Sequence, residues 1–350
     1  MRVITFGEIM LRFAPEGYNR LFQTPVLNGT FGGGEANVAV SIANFGGDAA
    51  FVTKLPENAI AEACLRELRG FGVDTKFIAR GGERMGVYYM EKGASCRPSN
   101  VIYDRAHSSI STATDSDFDW DKIFDGADWF HFTGITPALS DELAKVTLNA
   151  LKVAKAKGLS VSCDLNYRKK LWSREKAKEV MTGLMPYVDL CICNEEDAKD
   201  VFGIEADGTD IEKGALSREG YVGVAKKLTD KFGFKKVAIT LRESFSANDN
   251  DWSAMLYADG EAHFSNKYSL HIVDRVGGGD SFGAGLIYGL TNGYTNQDAL
   301  EFAVAASALK HTIEGDFNRV GVKEVQSLIK NGGSGRVQRY NVKFLPYIQG

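Results

Sequence analysis

No apolar run in the chain approaches the roughly 20 residues needed to cross a bilayer. No internal repeat and no low-complexity segment interrupts it. Charge of one sign is not in surplus. There are 41 basic and 45 acidic side chains, a formal net charge of −4, which argues against a general affinity for nucleic acid. Cysteine is sparse and odd in number. Cys64, Cys96, Cys163, Cys191 and Cys193 are irregularly spaced, with no further Cys or His where a zinc site would need it. Reduced, buried thiols are expected instead. The first residues, Met1-Arg-Val-Ile-Thr-Phe-Gly7, lack the apolar stretch and cleavage site of a signal peptide. They read as a strand, and a cytoplasmic location without membrane contact is expected. No G-x-G-x-x-G follows that strand, which argues against a dinucleotide-dependent dehydrogenase.

What is present is ordinary in bulk, 44% hydrophobic and 25% charged, and long enough for a sizeable core. Short strand patterns at 3–6, 50–53, 129–132, 159–163, 190–193 and 237–241 alternate with helical ones at 38–45, 59–69, 141–157, 174–185, 195–202 and 218–232. Within 141–157, Leu143, Val146, Ala150, Leu151 and Ala154 share a stripe. This βαβα rhythm predicts a doubly wound α/β fold, a mostly parallel sheet with helices on both faces. Residues 86–103 break the rhythm. Val87-Tyr-Tyr-Met90 and Val101-Ile-Tyr103 are β-rich and no long helix separates them, so a small β-sheet lid is expected, its strands drawn from about 11–30 and 86–107. A hairpin turning at Asp259-Gly260 should precede the last helices. One domain over 1–330 is expected, with 331–350 as a peripheral tail.

The most informative stretch is Asp274-Arg-Val-Gly277-Gly278-Gly279-Asp280-Ser-Phe-Gly-Ala-Gly285. Glycines let backbone N–H groups approach an anion, and the helical pattern that follows aims its positive end at the same point. Asp280 stands where an anion would be held, yet is itself an anion. That suits a base that takes a proton from a hydroxyl while Gly277, Gly278 and Gly279 stabilise a phosphoryl group in transfer. A plain turn with an N-terminal cap is the competing reading.

In such folds ligands bind beyond the carboxyl ends of the strands, where Glu8, Asp164, Asn166, Arg168, Asn194 and Arg242 should gather. Gly32-Gly33-Gly34 before Asn37 is either a second close-approach loop, with Asn37 on a hydroxyl, or a loop and cap. Arg105 is a ligand cation or a solvated charge, and Arg168 a bidentate clamp or a surface ion pair. Asn194-Glu195-Glu196-Asp197 is a dipole-complementing helix start or outer-sphere help to a Mg²⁺. His311 stacks on an adenine or closes a helix.

Two motifs together, Gly32-Gly-Gly-Glu-Ala-Asn37 and Asp274 to Gly285, resemble the ribokinase-like (PfkB) family of carbohydrate kinases, over about residues 1–328. Further stretches resemble its 2-keto-3-deoxygluconate kinase branch: Val101-Ile-Tyr-Asp-Arg105, His131-Phe-Thr-Gly-Ile135-Thr-Pro and Asp164-Leu-Asn-Tyr-Arg168. The resemblance implies ATP and Mg²⁺ as cofactors, a sugar acid phosphorylated at its 6-hydroxyl, Asp280 as base and the Gly277–Gly279 amides as anion hole. It implies Gly33, Gly34, Asn37, Tyr88, Tyr103, Arg105, Ile135 and Arg168 around the sugar. Asn194, Thr240, Arg242, Gly277, Gly279 and His311 fall near the nucleotide, and Glu195 and Asp197 near the metal through water. It also implies pairing of two copies through the lid. The Asp-x-Asn-x-Arg pattern occurs in fructokinases too, so a neutral-sugar kinase stays open, as does a non-catalytic sugar-acid sensor. The chain departs from the family at Gly278, at Asp197, and at Thr240-Leu-Arg-Glu-Ser-Phe-Ser246.

Overall fold

The alternating patterns assemble, in a computed structural model, into a nine-stranded sheet. The structure describes residues 1–206, 211–212 and 215–332. The expected tail beyond 332 and the side chain of Glu195 lie outside the described residues. The strand order is Glu261–Phe264, Asp249–Ala258, Lys236–Ser244, Leu190–Asn194, Ser160–Asp164, Trp129–Thr133, Arg2–Phe6, Asp48–Val52, with Tyr268–His271 also paired to Asp249–Ala258. From Lys236–Ser244 to Asp48–Val52 every pairing is parallel. The pairings of Asp249–Ala258 are antiparallel, and its hairpin turns through Asp259 and Gly260, both at positive φ, as a tight hairpin turn requires.

Parallel strands covered on both faces must be apolar on both, and these are: Trp129–Thr133 is buried at every position. One face packs against Asp141–Ala156, Arg174–Leu184, Glu195–Phe202 and Arg218–Phe232, the other against Gly34–Asn44, Gly278–Thr291 and Asn296–Lys310. The caps follow the sequence. Ser140 accepts from the Leu143 amide, and Ser217 from that of Gly220. A separate four-stranded sheet, Asn28–Gly32, Met10–Ala14, Gly86–Glu91, Asn100–Asp104, stands beside the carboxyl ends of the parallel strands. Its Met10, Tyr88 and Met90 pack toward Val276. Among the described residues no helix is long and apolar enough to cross a membrane.

Two helix starts differ from the sequence reading. The segment expected from 38 begins at Gly34, so Asn37 lies in its first turn and not in a loop. The helix expected from 281 begins at Gly278. Glycine scores poorly in helix interiors, but a first turn needs no intrahelical partner for its N–H groups and tolerates it. The cysteines are all free, but Cys96 is exposed, against the expectation that all five would be buried.

Candidate active site

Parallel pairing puts the ends of several strands at one edge of the sheet, and Asp280 faces that edge from the opposing helix. Its Oδ2 accepts a hydrogen bond from Asn37 Nδ2 at 2.7 Å, joining the two glycine motifs. Its Oδ1 lies close to Gly34, where a Cβ would sit 3.6 Å from it and, tightly, 3.3 Å from Thr133 Cγ2. Burial pushes the Asp280 carboxyl up to about 6, with nearby Asp316 adding to the rise, while Asn37, Arg168 and Lys310 oppose it. A carboxylate so tuned can take a proton near neutral pH.

The turn before it is shaped by contact. Gly277 has φ 80°, and a Cβ there would lie 2.1 Å from the Asp316 carbonyl oxygen. Gly279 is exposed, with nothing within 4 Å of where its Cβ would be. The amides of Gly279 and Asp280, in the first turn, have no intrahelical acceptor and face an anion's approach. Gly33 carries no such opening. Its Cβ position lies 2.0 Å from the Glu8 carbonyl oxygen, so it serves close packing.

A cleft of about 1720 Å³ is lined by Tyr103, Arg105, Arg168, Lys169, Lys170 and Arg174 among others. Arg168 is exposed, its guanidinium bonded only to the Tyr167 carbonyl oxygen among the described residues. Ile135 opens the short helix Ile135–Ala138, its amide held by Thr133 Oγ1. Tyr103 is 40% exposed and its ring underlies Arg105.

Several expected contacts take other partners. Arg105 bonds Glu8 through Nε at 2.8 Å and through Nη2, so a buried carboxylate already neutralises it. Tyr88 is 3% exposed and its hydroxyl is held by Asp316 at 2.6 Å, inside the protein and not in the cleft. Asn37 is buried with both ends of its amide used, Nδ2 donating to Asp280 and Oδ1 accepting from the Gly33 amide, so it orients the Asp280 carboxylate where a substrate contact was expected. His311 was expected against an adenine. It is buried against Trp252, with Nδ1 on the Ser307 carbonyl oxygen, and a Cβ on Gly278 would lie 2.4 Å from its ring. It supports the turn from below, and burial lowers its pKa to about 4.

On the nucleotide side, Asn194 caps Glu195–Phe202, with its side chain accepting from the Asp197 amide and Asp197 returning the bond to the Asn194 amide. Thr240 pairs with Asn194 across the strands. Arg242 is exposed, and its charge adds to the burial that lowers the Arg275 pKa. Burial raises Asp197 to about 6, and burial together with Asp197 and Asp280 raises Asp164 well above its usual range. Asn166, at φ 40°, holds a buried Oδ1 with no partner among the described residues. Among the described residues no three His, Cys, Asp or Glu side chains could hold a metal directly.

Residues 2–318 match the model of the pfkB family carbohydrate kinases. The chain belongs to that family. A 2-dehydro-3-deoxygalactonokinase of Haloferax volcanii is 32% identical over 333 residues, covering 95% of this chain and 98% of its own. A 2-dehydro-3-deoxygluconokinase of Bacillus subtilis is 28% identical, over 92% and 93%. A solved 2-dehydro-3-deoxygluconokinase of Thermotoga maritima superposes with a TM-score of 0.91 at 55% identity, over 94% of this chain and 98% of that one. The pfkB motifs were legible in the sequence. Three residues that organise this pfkB site were not. Buried Glu35 takes bonds from the Thr133 amide and from the Thr133 and Thr136 hydroxyls on one oxygen, fixing the Gly134–Ile135 turn. Asp316 and Lys310 lie behind the Gly277 turn. Only Glu35, an acid inside a run of small apolar residues, gave any signal.

Proposed function

We propose that this chain is an ATP-dependent kinase that phosphorylates 2-keto-3-deoxygluconate (2-dehydro-3-deoxygluconate) at its 6-hydroxyl. The observation that carries the reading is Asp280 held by Asn37 in the first turn of its helix, beside that turn's free amides and within electrostatic reach of Arg168, which lines a basic cleft. The hydroxyl approaches Asp280 Oδ1 over Gly34 and gives up its proton there. The Gly279 and Asp280 amides hold the phosphoryl oxygens as charge spreads over them. Arg168 and its neighbouring lysines attract the sugar carboxylate. The names of the 55% and 28% identical relatives support this substrate.

Hydrated Mg²⁺ fits the side-chain oxygens of Asp164, Asn166 and Asp197, where Asn166 Oδ1 has no partner among the described residues and the raised carboxyls favour a cation nearby. When bound, it would offset the charge of the nucleotide phosphates. The reading includes a single kinase domain, a cytoplasmic setting where ATP is found, and pairing of two copies through the outer face of the small sheet. There Phe13 stacks on Tyr89, and Ile102, opposite Tyr89, is 48% exposed.

A coupled assay over 2-keto-3-deoxygluconate, its galactonate epimer, fructose and ribose tests the substrate. Preference for fructose or ribose would overturn it. The Arg105–Glu8 pair favours the neutral-sugar reading, because it removes one cation from the cleft.

A further inference from the structure

Lys310 ends the helix Asn296–Lys310 and is fully buried, among residues that are otherwise apolar or small. Among the described residues its ammonium meets two acceptors, both main-chain carbonyls: Ile313 at 3.1 Å and Asp274 at 3.5 Å. Burying an ammonium is costly unless opposite charge is near. The charge is there. Asp274 and Asp316 are both buried and share the single guanidinium of Arg12, at 2.5 and 2.8 Å. Arg12 alone leaves one negative charge over, and Lys310 balances it, giving two cations on two anions.

The position of this ammonium is specific. A Cβ on Gly277 would lie 3.3 Å from Lys310 Cε, so the lysine stem touches the glycine turn from behind. An anion-binding turn must keep its carbonyl dipoles away from the anion, and Lys310 gives the Asp274 carbonyl, at the head of the turn, a cation to face. On the far side of the turn is Asp280. The groups acting on Asp280 are Asn37 and Lys310 from the two neighbouring helices of that face, Asp316 from the loop beyond, Arg168 from the cleft and Asp164 from the end of its strand. Lys310 is one of two cations among them.

We propose that Lys310 is a positioning residue for phosphoryl transfer, a counter-cation behind the Gly277–Asp280 turn that holds it in its anion-binding shape. The proposal rests on the kinase reading of the same site. Without the ammonium the turn loses its rear charge, and Asp280 loses a neighbour that favours its ionised form.

The test is Lys310→Met, which keeps the length of the side chain and removes the charge. The full-length variant should fall about 100-fold in kcat, the scale on which one oriented charge acts. Its KM for ATP and sugar should stay within about threefold, and the acidic limb of its kcat profile should move to higher pH. Near-normal kcat with an unmoved limb overturns the proposal. Should the single variant fail to fold, Lys310→Met with Asp316→Asn removes one charge of each sign and restores the balance. In the double variant the two charge effects on Asp280 oppose each other, so kcat is the readout: a folded double variant with low kcat supports the proposal, and one with restored kcat reduces Lys310 to charge balance and overturns it. Wild-type turnover of the sugar panel is measured alongside. If the wild type refuses the sugar acid but phosphorylates another sugar, the substrate reading fails by itself and the variants are compared on that sugar.

Discussion

Asn37 Nδ2 lies 2.7 Å from Asp280 Oδ2, across 243 residues of sequence. The bond opposes the rise in the Asp280 pKa that burial causes. Replacing Asn37 with Leu removes it. The base should then titrate higher still, and its carboxylate should lose its fixed orientation. We expect the acidic limb of kcat to move up by about one pH unit, with kcat at pH 8 down about tenfold. A pH–rate series checks both. An unmoved limb would show that Asn37 does not act on the base.

Asp280→Asn should lower kcat by on the order of 10²–10⁴-fold, the usual range for loss of a general base, while ATP still binds. Stability should change the other way. The folded pKa, about 6, lies above the ordinary 3.8, so the folded protein holds the proton more tightly than the unfolded chain and loses stability as pH rises through that window. The variant lacks this loss and should match or exceed the wild-type Tm at pH 8. Calorimetry and isothermal titration of ATP give both measurements.

Glu35 carries the same sign. Burial raises its carboxyl to about 7 from 4.5, so its contribution to stability falls as pH rises from about 4.5 to 7. Glu35→Gln should flatten that part of the Tm–pH curve. A curve identical to wild type would mean Glu35 ionises freely.

The two cleft arginines should separate in their effects. Arg168→Ala should raise KM for the sugar acid at least tenfold, with little effect on a neutral ketose. Arg105→Ala should chiefly destabilise, because it strands Glu8 as an uncompensated buried charge, at about 3–5 kcal/mol. Thermal melts and substrate kinetics on both variants decide it. A selective KM effect from Arg105→Ala, with Tm unchanged, would return Arg105 to the carboxylate.

Tyr88→Phe tests the reassignment of that hydroxyl. It takes one hydrogen bond from Asp316 and should cost about 1–2 kcal/mol in stability with sugar KM within about twofold. A large rise in KM with Tm intact would place the hydroxyl in the sugar site.

The sequence by itself determined the sheet, the order of its elements and the reaction chemistry. These are local matters: alternating apolar periods set the parallel sheet and its helices, and two short glycine motifs carry the mark of the carbohydrate-kinase family. Parallel pairing also brings strand ends together, so Arg168 and Asn194 could be placed at one edge without coordinates. What only the tertiary structure decided is which polar groups are already spoken for. Arg105, Tyr88, Asn37 and His311 each read as ligand contacts, because a polar side chain near a site looks free until its partner is known. Glu8, Asp316, Asp280 and the Ser307 carbonyl oxygen are those partners, up to 243 residues away from the groups they engage. Lys310 and Asp316 gave no sign at all. A buried charge is tolerated only when its counter-charge is brought to it, and that pairing exists only once the chain has folded.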